Sequence, residues 1–212
     1  MKTTKIFLLS ALFVMAFGLA QAQNDKPAPK FGIKGGINLS NLYNGDVGDE
    51  NLKVGLNLGL MAKMPINNGF AIQPEVIYSS QGSRINYNNS ILGKGEYRFN
   101  LNYVQVPVLA VINIGEYFNI HVGPYVSFLT SANIKDMKSD GDIEDIKDLN
   151  VDDFNRIDYG FAGGVAFETK GFTTGVRYNY GLKEVGKSGS VSGAATNNMK
   201  NSFGTVYIGF TF

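Results

Sequence analysis

The sequence has no cysteine, no tryptophan and only one histidine, His121, among its 212 residues. Because cysteine is absent, the chain has no disulfide framework, no thiolate metal site and no cysteine-linked lipid anchor. A single histidine also excludes a metal site built from several imidazole ligands. We therefore expect no bound metal and no cofactor.

Charged residues are scarce as well. Asp, Glu, Lys and Arg make up 17% of the chain, compared with about 25% in a typical soluble domain. The 19 basic and 18 acidic residues nearly cancel, so the chain lacks the basic excess that nucleic-acid-binding proteins show. Nucleic acid is therefore not an expected partner.

Long apolar runs are missing except at the amino terminus. Lys2 and Lys5 form a basic start. An apolar run, Ile6–Leu19, follows and ends before Ala20–Ala22, which has the A-x-A form of a cleavage site. The sequence therefore predicts a cleaved signal peptide at residues 1–22. No later stretch reaches the roughly 18 apolar residues of a membrane-spanning helix.

Glycine and aromatic residues are abundant, with 26 Gly, 11 Tyr and 15 Phe, a composition that suits many strands joined by tight turns. The last twelve residues alternate with a period of two, which is typical of a strand. One face is apolar and the other is small or polar: Val206, Ile208, Phe210 and Phe212 against Thr205, Tyr207, Gly209 and Thr211.

The same alternation recurs along the chain after a short proline-containing linker at residues 23–30. We predict eight strands at 31–39, 52–64, 70–80, 96–114, 118–130, 156–168, 172–184 and 201–212. Strands with one apolar face need a partner on each side and an apolar medium outside, and a membrane β-barrel supplies both. We therefore predict that residues 31–212 form an all-β, eight-stranded, antiparallel, up-and-down transmembrane β-barrel.

The connections between these strands alternate between long and short, as in barrels of the outer membrane of Gram-negative cells. Three tight turns would lie on the periplasmic rim and four long loops on the outer rim. Aromatic residues near the strand ends predict one girdle at each rim, with Phe203 counted in the outer girdle. The alternative is a soluble barrel or sandwich with its apolar face inside, but the opposite face is rich in glycine and would make a poor soluble surface.

Two local features complete the predicted barrel. In the segment 96–114 the apolar residues change parity between Leu101 and Val104, which predicts a β-bulge near Asn102–Tyr103. In the long loop 131–155, Ile143, Ile146 and Leu149 recur every three residues, which favours a short helix over the barrel mouth.

Five short motifs occur in order along the chain: Gly35–Ser40 (GGINLS), Pro74–Gly82 (PEVIYSSQG), Tyr103–Pro107 (YVQVP), Asp158–Gly160 (DYG) and Arg177–Leu182 (RYNYGL). In these motifs the chain from 31 to 212 resembles the PorT-like outer-membrane β-barrel family. The resemblance implies an eight-stranded barrel in the outer membrane of a Gram-negative cell. The member that gives the family its name is linked to protein secretion, and the family brings no catalytic residues.

Charged side chains fall on the predicted inward face at Lys34, Glu75, Asp158 and Arg177. Buried charges need partners, so we expect a structural salt-bridge plug, with Glu75 and Arg177 as its central pair and Lys34 or Asp158 beside them. The alternative is a narrow path for protons or ions. His121 also points inward, as a hydrogen-bonded lumen residue. As a general base it would stand at the periplasmic end, far from the outer leaflet, so we do not expect an enzyme.

The loop 131–155 carries eight acidic and three basic residues. Its stretch Asp140–Asp145 starts like a calcium-binding loop but lacks Gly at the sixth position and Glu at the twelfth, where Val151 stands. We interpret it as a solvated acidic loop. A weak divalent-cation site that bridges to lipopolysaccharide is the alternative.

These observations favour a non-enzymatic outer-membrane barrel, a structural or interaction protein that presents four outer loops. The alternative is a small pore or an accessory component of a secretion apparatus. Expected partners are outer-membrane lipid, lipopolysaccharide and, during insertion, the barrel-assembly machinery, which would recognise Tyr207, Phe210 and Phe212 in the last strand. An unidentified secretion-system or surface protein is a further expected partner.

Overall fold

The structure is a computed structural model, and it describes residues 28–43, 52–89, 93–138, 143–149, 151, 154–186 and 199–212. The predicted signal peptide and most of the linker lie outside these residues, as does the start of the calcium-like stretch. These described residues contain nine strands: β1 Lys30–Tyr43, β2 Lys53–Pro65, β3 Phe70–Asn89, β4 Gly93–Ile114, β5 Phe118–Lys138, β6 Ile143–Asp148, β7 Ile157–Glu168, β8 Phe172–Glu184 and β9 Lys200–Thr211. The described residues contain no helix that is long and apolar enough to cross a membrane.

Eight of these strands form a closed antiparallel ring. Each pairs with its neighbours in chain order, except that β5 pairs with β7, because β6 is attached outside the ring. The ring closes between the first and last strands, where the register runs from Gly32 opposite Thr211 to Tyr43 opposite Lys200. The predicted eight-stranded up-and-down barrel is confirmed.

The outer face of this barrel is apolar. In β2, Leu56, Leu58 and Leu60 are 69%, 65% and 60% exposed, whereas Asn57 and Met61 face the lumen and are buried. The same alternation runs through β7, β8 and β9. A closed ring with such a surface leaves no sheet edge in the hydrocarbon, which is the condition for spanning a membrane with strands.

Three short turns join strands at one rim, at residues 66–69, 115–117 and 169–171. Gly115 and Gly171 adopt φ angles of 67° and 90° there, a left-handed backbone that glycine enters without a steric penalty. Phe31 and Phe212 exchange backbone hydrogen bonds of 3.3 and 2.8 Å at the same rim. The three predicted tight turns are therefore confirmed.

The predicted outer loop at 81–95 is mostly strand. β3 and β4 stay paired past the predicted strand ends, as far as Asn89 opposite Gly93, and β5 extends to Lys138. The prediction was wrong because it identified strands by their lipid-facing apolar residues. Beyond the apolar band, the outward side chains that the structure describes include the polar pair Asn100 and Asn133, which bond to each other at 2.9 Å.

The prediction of a short helix over the barrel mouth is also wrong. Residues Ile143–Asp148 form strand β6, which pairs antiparallel with the projecting end of β5. A period of three over seven residues is only a weak indication of a helix. Here it is outweighed by hydrogen bonding to the backbone of the long β5 strand, a tertiary interaction that favours a strand.

The predicted bulge lies at the expected height but in the other strand. The β4–β5 register shifts between Asn102 and Tyr103, and the extra residue is Thr130 of β5. The parity of β4 does not change, because Phe99 and Leu101 point inward together with Tyr103. The apparent slip arose because the apolar residues Phe99 and Leu101 point into the lumen, whereas Val104, Val106 and Val108 lie on the opposite, lipid-facing side of the same strand.

Aromatic side chains with exposed rings lie near both ends of the strands, as predicted. They include Phe118 and Phe210 at the short-turn rim and Tyr78 and Tyr159 toward the outer end, each 45–60% exposed. Phe203 was wrongly assigned to the outer girdle. It is 1% exposed because it shares the inward parity of Tyr207 in β9.

Removal of residues 207–212 should prevent barrel assembly. β9 is the partner of both β1 and β8, so the deletion leaves two strand edges unpaired in hydrocarbon. We expect the truncated protein to be missing from the outer-membrane fraction and to lose the heat-modifiable gel band of a folded barrel. A deletion of six residues within 187–198, a Gly/Ser/Asn-rich stretch, is the control of equal length and should assemble. A folded, membrane-inserted truncation would contradict the closure argument.

Candidate functional site

Three charged side chains meet inside the barrel. Glu75 of β3 accepts two hydrogen bonds from the guanidinium of Arg177 of β8, at 2.7 and 2.9 Å. The ammonium of Lys34 in β1 donates to the same carboxylate at 3.2 and 3.3 Å. Gln73 adds a bond of 2.8 Å. The three charged residues are 2–4% exposed, and their two cations against one carboxylate leave the group with an excess positive charge.

His121 of β5 is attached to this group through Arg177. The Nε of Arg177 lies 3.2 Å from His121 Nε2, and His121 Nδ1 lies 3.3 Å from the side-chain oxygen of Asn119. A guanidinium only donates hydrogen bonds, so Nε2 is the acceptor and the ring proton is assigned to Nδ1. Both ring nitrogens of His121 are therefore engaged.

The ring of Tyr207 in β9 lies against the two cations. The Lys34 ammonium is 3.8 Å from the ring centroid, and the guanidinium carbon of Arg177 is 5.4 Å from it. The negative face of an aromatic ring attracts cations. Tyr207 therefore offsets part of the excess positive charge that Glu75 leaves uncompensated.

Inward-facing glycines leave the room that these side chains occupy. A Cβ atom at Gly164 would lie 2.8 Å from His121 Nε2, and one at Gly175 would lie 2.8 Å from the Tyr207 hydroxyl. The glycine-rich inner face of β7 and β8 is thus the space into which the imidazole and phenol rings extend from β5 and β9.

A second ion pair lies toward the short-turn rim. The Lys63 ammonium donates to Glu168 at 2.6 Å, and Asn113 and Asn119 bond to these same two side chains. A cavity of about 10 Å³, room for about one water molecule, is lined by this pair together with His121. At the same end, the inner faces of β3 and β4 carry the buried apolar side chains of Ala71 and Val111, so polar and apolar groups share this part of the lumen.

Farther from that rim the lumen holds a neutral network centred on Asn38 of β1. Its amide nitrogen donates to Ser79 at 2.9 Å, and its oxygen accepts from Thr205 at 2.8 Å and from Asn57 at 3.3 Å. These bonds connect β1, β3, β9 and β2 across the interior.

Asp158 of β7 lies in a separate group. Its Oδ2 accepts a bond of 3.1 Å from Asn201 of β9, and the same amide nitrogen lies 3.2 Å from the Tyr103 hydroxyl oxygen. Asp158 makes no hydrogen bond or ion pair with Glu75 or Arg177 within the described residues. The expected neighbour of the Glu75–Arg177 pair is therefore Lys34 and not Asp158.

Apolar side chains close the outer end of the lumen. This cap consists of Phe99, Leu101, Tyr103, Leu129, Ala132, Phe154 and Val185. The rings of Phe99 and Phe154 meet edge to face with centroids 6.1 Å apart. Phe154 lies between β6 and β7, so the cap is made partly by the connection that follows the projecting sheet.

Of the residues predicted for the lumen, Lys34, Glu75, His121 and Arg177 lie together, and Asp158 lies apart in the outer part. Tyr207, predicted as part of an assembly signal, belongs to the central group, while Phe210 and Phe212 are exposed on the outside. The prediction missed the Lys63–Glu168 pair and the cap. Strand parity places Lys63 inward and signals the pair, but Phe154 lies outside every predicted strand and gives no such signal.

No group of three or more His, Cys, Asp or Glu residues in the described part of the chain is arranged to hold a metal ion. The side chains of the calcium-like stretch Asp140–Asp145 are outside what the structure describes.

A family model described as "Outer membrane protein beta-barrel domain" matches residues 21–186. A comparison with curated proteins finds no match. Among solved structures, the chain is similar to Ail of Yersinia pestis, crystallised with the heparin analogue sucrose octasulfate, at 16% identity, with 87% of this chain and 99% of that chain covered and a TM-score of 0.48. Neisserial surface protein A is similar at 13% identity, 87% and 97% coverage and a TM-score of 0.46. OprG of Pseudomonas aeruginosa is similar at 12% identity, 88% and 97% coverage and a TM-score of 0.42.

Glu75→Gln should destabilise the barrel strongly. The substitution leaves Lys34 and Arg177 as buried cations without a carboxylate, which typically costs about 3–5 kcal/mol. The free energy of unfolding can be measured by reversible urea unfolding of the purified protein in lipid vesicles. Circular dichroism is the readout, because the chain has no tryptophan for fluorescence.

Two comparisons make this test specific. Glu168→Gln is the matched control, and it should cost less because the Glu168 side chain is 16% exposed. The triple variant Lys34→Met, Glu75→Leu, Arg177→Met removes all three charges and should be more stable than Glu75→Gln alone. Equal losses in Glu75→Gln and Glu168→Gln would show that the central group does not hold the barrel together.

Proposed function

The chain belongs to the outer membrane protein beta-barrel domain family, and from this premise we propose that it is a closed, non-enzymatic barrel that acts as an anchored interaction protein. Its strands hold it in the outer membrane of a Gram-negative cell, and its projecting outer sheet is the surface that meets partners. The observation that carries this proposal is the filled lumen.

The packing of the lumen supports a barrel without a continuous aqueous path through the described residues. The Lys63–Glu168 pair, the Glu75 group, the Asn38 network and the apolar cap follow one another along it. An eight-stranded barrel has an interior just wide enough for side chains, and here large ones occupy it. A non-conducting barrel is what this packing supports.

The lumen chemistry also supports a non-enzymatic role. A general base needs a nitrogen or oxygen within reach of a substrate proton. Both nitrogens of His121 are engaged, by Arg177 at 3.2 Å and by Asn119 at 3.3 Å. The nearby carboxylate of Glu75 is held by two cations and faces the barrel interior.

The contact surface in this proposal is the outer sheet formed by the projecting parts of β3, β4 and β5 with β6. The outward side chains described near its base are polar, with the Asn100–Asn133 and Asn102–Ser131 pairs at 2.9 Å each. Such side chains suit sugars and headgroups of lipopolysaccharide, which we propose as a partner together with membrane lipid. We further propose that the barrel-assembly machinery recognises Tyr207, Phe210 and Phe212 during insertion.

A part in protein secretion is the second candidate. The five motifs shared with PorT-like barrels support it, and their lumen-facing residues include Glu75, Tyr103, Asp158 and Arg177. These residues build the interior rather than the outer surface. The motifs therefore favour a common plugged barrel and say less about a common partner.

Planar-bilayer recording tests the closed barrel. We expect no steady conductance from the purified wild-type protein, with an unrelated porin added afterwards to show that the bilayer reports open channels. A steady wild-type conductance whose ion selectivity changes sign in Arg177→Glu would contradict the proposal and identify a pore through the Glu75 group.

Chemical cross-linking in native membranes then identifies what contacts the outer sheet, and cross-links only to periplasmic secretion components would favour the second candidate.

A further inference from the structure

Two carboxylates are buried in the lumen of the described chain, and they differ in whether a cation lies in contact with them. Glu75 is in contact with two cations, Lys34 and Arg177, at 3.2 and 2.7 Å. Asp158 is 4% exposed, yet no Lys, Arg or His of the described residues lies within ion-pair distance of it. A buried charge without a counter-charge is strongly disfavoured.

Unpartnered oxygen atoms surround this carboxylate. Asp158 Oδ1, the Tyr125 hydroxyl and the Ser127 hydroxyl are all buried, and none of them has a hydrogen bond of normal geometry, although Tyr125 and Asp158 are close enough to interact. Ser127 is directly opposite Asp158 in the β5–β7 register. Tyr125 precedes Ser127 by two residues in β5 and therefore lies on the same inward face. Tyr125 and Ser127 are 3% and 0% exposed, so water from outside the barrel does not satisfy them.

Gly181 of β8 keeps the space between these oxygens open. A Cβ atom at this position would lie 3.3 Å from Asp158 Oδ1 and also 3.3 Å from the Tyr125 hydroxyl oxygen. Both atoms therefore border one small space that any other residue at position 181 would narrow. Asn201 holds the second carboxylate oxygen from the far side at 3.1 Å, which fixes the direction in which Oδ1 points.

We propose that Asp158, Tyr125 and Ser127 bind a monovalent alkali cation in the outer part of the lumen. Hard cations take oxygen ligands at about 2.3–2.6 Å, so two ligands of one cation lie farther apart than hydrogen-bonded atoms. Oxygens that converge without a hydrogen bond of normal geometry between them are consistent with that arrangement. One carboxylate with neutral hydroxyls balances a single positive charge, whereas calcium sites use several carboxylates.

The apolar cap covers this site from the outer side, and Tyr103 of the cap is connected to Asp158 through the side-chain amide of Asn201. A cation would therefore be enclosed when the barrel folds and would exchange slowly. The proposal is independent of the proposed function, because it concerns how the outer lumen is neutralised and not what the outer sheet binds.

The test refolds the full mature chain separately in chloride salts of lithium, sodium, potassium and choline at equal ionic strength, and measures the melting temperature by heat-modifiable gel migration. Choline is too large for the space and serves as the reference. We expect at least one alkali cation to raise the melting temperature by about 2–4 °C over choline. Equal melting temperatures in all four salts would overturn the proposal and leave a protonated Asp158 or an enclosed water.

Variants locate the effect. Asp158→Asn keeps the shape and removes the charge, so its melting temperature should not depend on the cation. Ser127→Ala is the milder variant and should reduce the cation dependence even if Asp158→Asn does not fold. Ser79→Ala, a buried serine of the Asn38 network, is the matched control and should keep the full dependence. Unchanged dependence in Ser127→Ala together with Asp158→Asn would place the cation elsewhere and overturn the proposal.

Crystals grown from rubidium chloride give a direct readout. The anomalous signal of rubidium should appear beside Asp158 Oδ1 in the wild type and be absent in Asp158→Asn. An empty position in a crystal of wild-type protein with ordered Asp158 would contradict the assignment.

Discussion

The pairing of β1 with β9 is the interaction on which the rest of the structure depends. Hydrocarbon offers no hydrogen-bond partner for a backbone group, so a sheet can span a membrane only when its first and last strands meet. The register from Gly32–Thr211 to Tyr43–Lys200 accomplishes this over the whole length of both strands. Closure at eight strands then fixes the diameter, and the diameter decides what the interior can contain.

The interior that results is graded along the barrel axis. Ion pairs lie in the part nearer the short-turn rim, together with an apolar cluster that includes Ala71, Leu109 and Val111. Neutral amides and hydroxyls follow, with the Asp158 carboxylate among them, and apolar side chains close the outer end. The charges of the Glu75 group and of the Lys63–Glu168 pair have partners on other strands, whereas Asp158 has no counter-charge among the described residues. This gradation explains why Phe99 and Leu101 point inward although Phe118 and Phe210 point outward.

The barrel and its strands could be predicted from the sequence because lipid imposes a period of two on every membrane-crossing segment. The same reasoning failed above the membrane. Residues 81–89 belong to strand β3 although they lie beyond the apolar alternation from which that strand was predicted, and Ile143–Asp148 is a strand because β5 offers it a backbone to pair with. The partners inside the lumen were harder to predict, since parity shows that Asp158 faces inward but not which residues face it across the ring.

The sequence by itself determined the number of crossings and, except at Phe99, Leu101 and Phe203, which side chains face lipid and which face inward, since these depend on alternation along each strand. It also determined that the charges of Lys34, Glu75 and Arg177 would have to find partners. Only the tertiary structure decided that those three meet around His121 and Tyr207 while Asp158 is left among hydroxyl groups. The reason is geometric. Strand tilt and register set the relative heights of residues on non-neighbouring strands, and neither quantity is written in the pattern of any single strand.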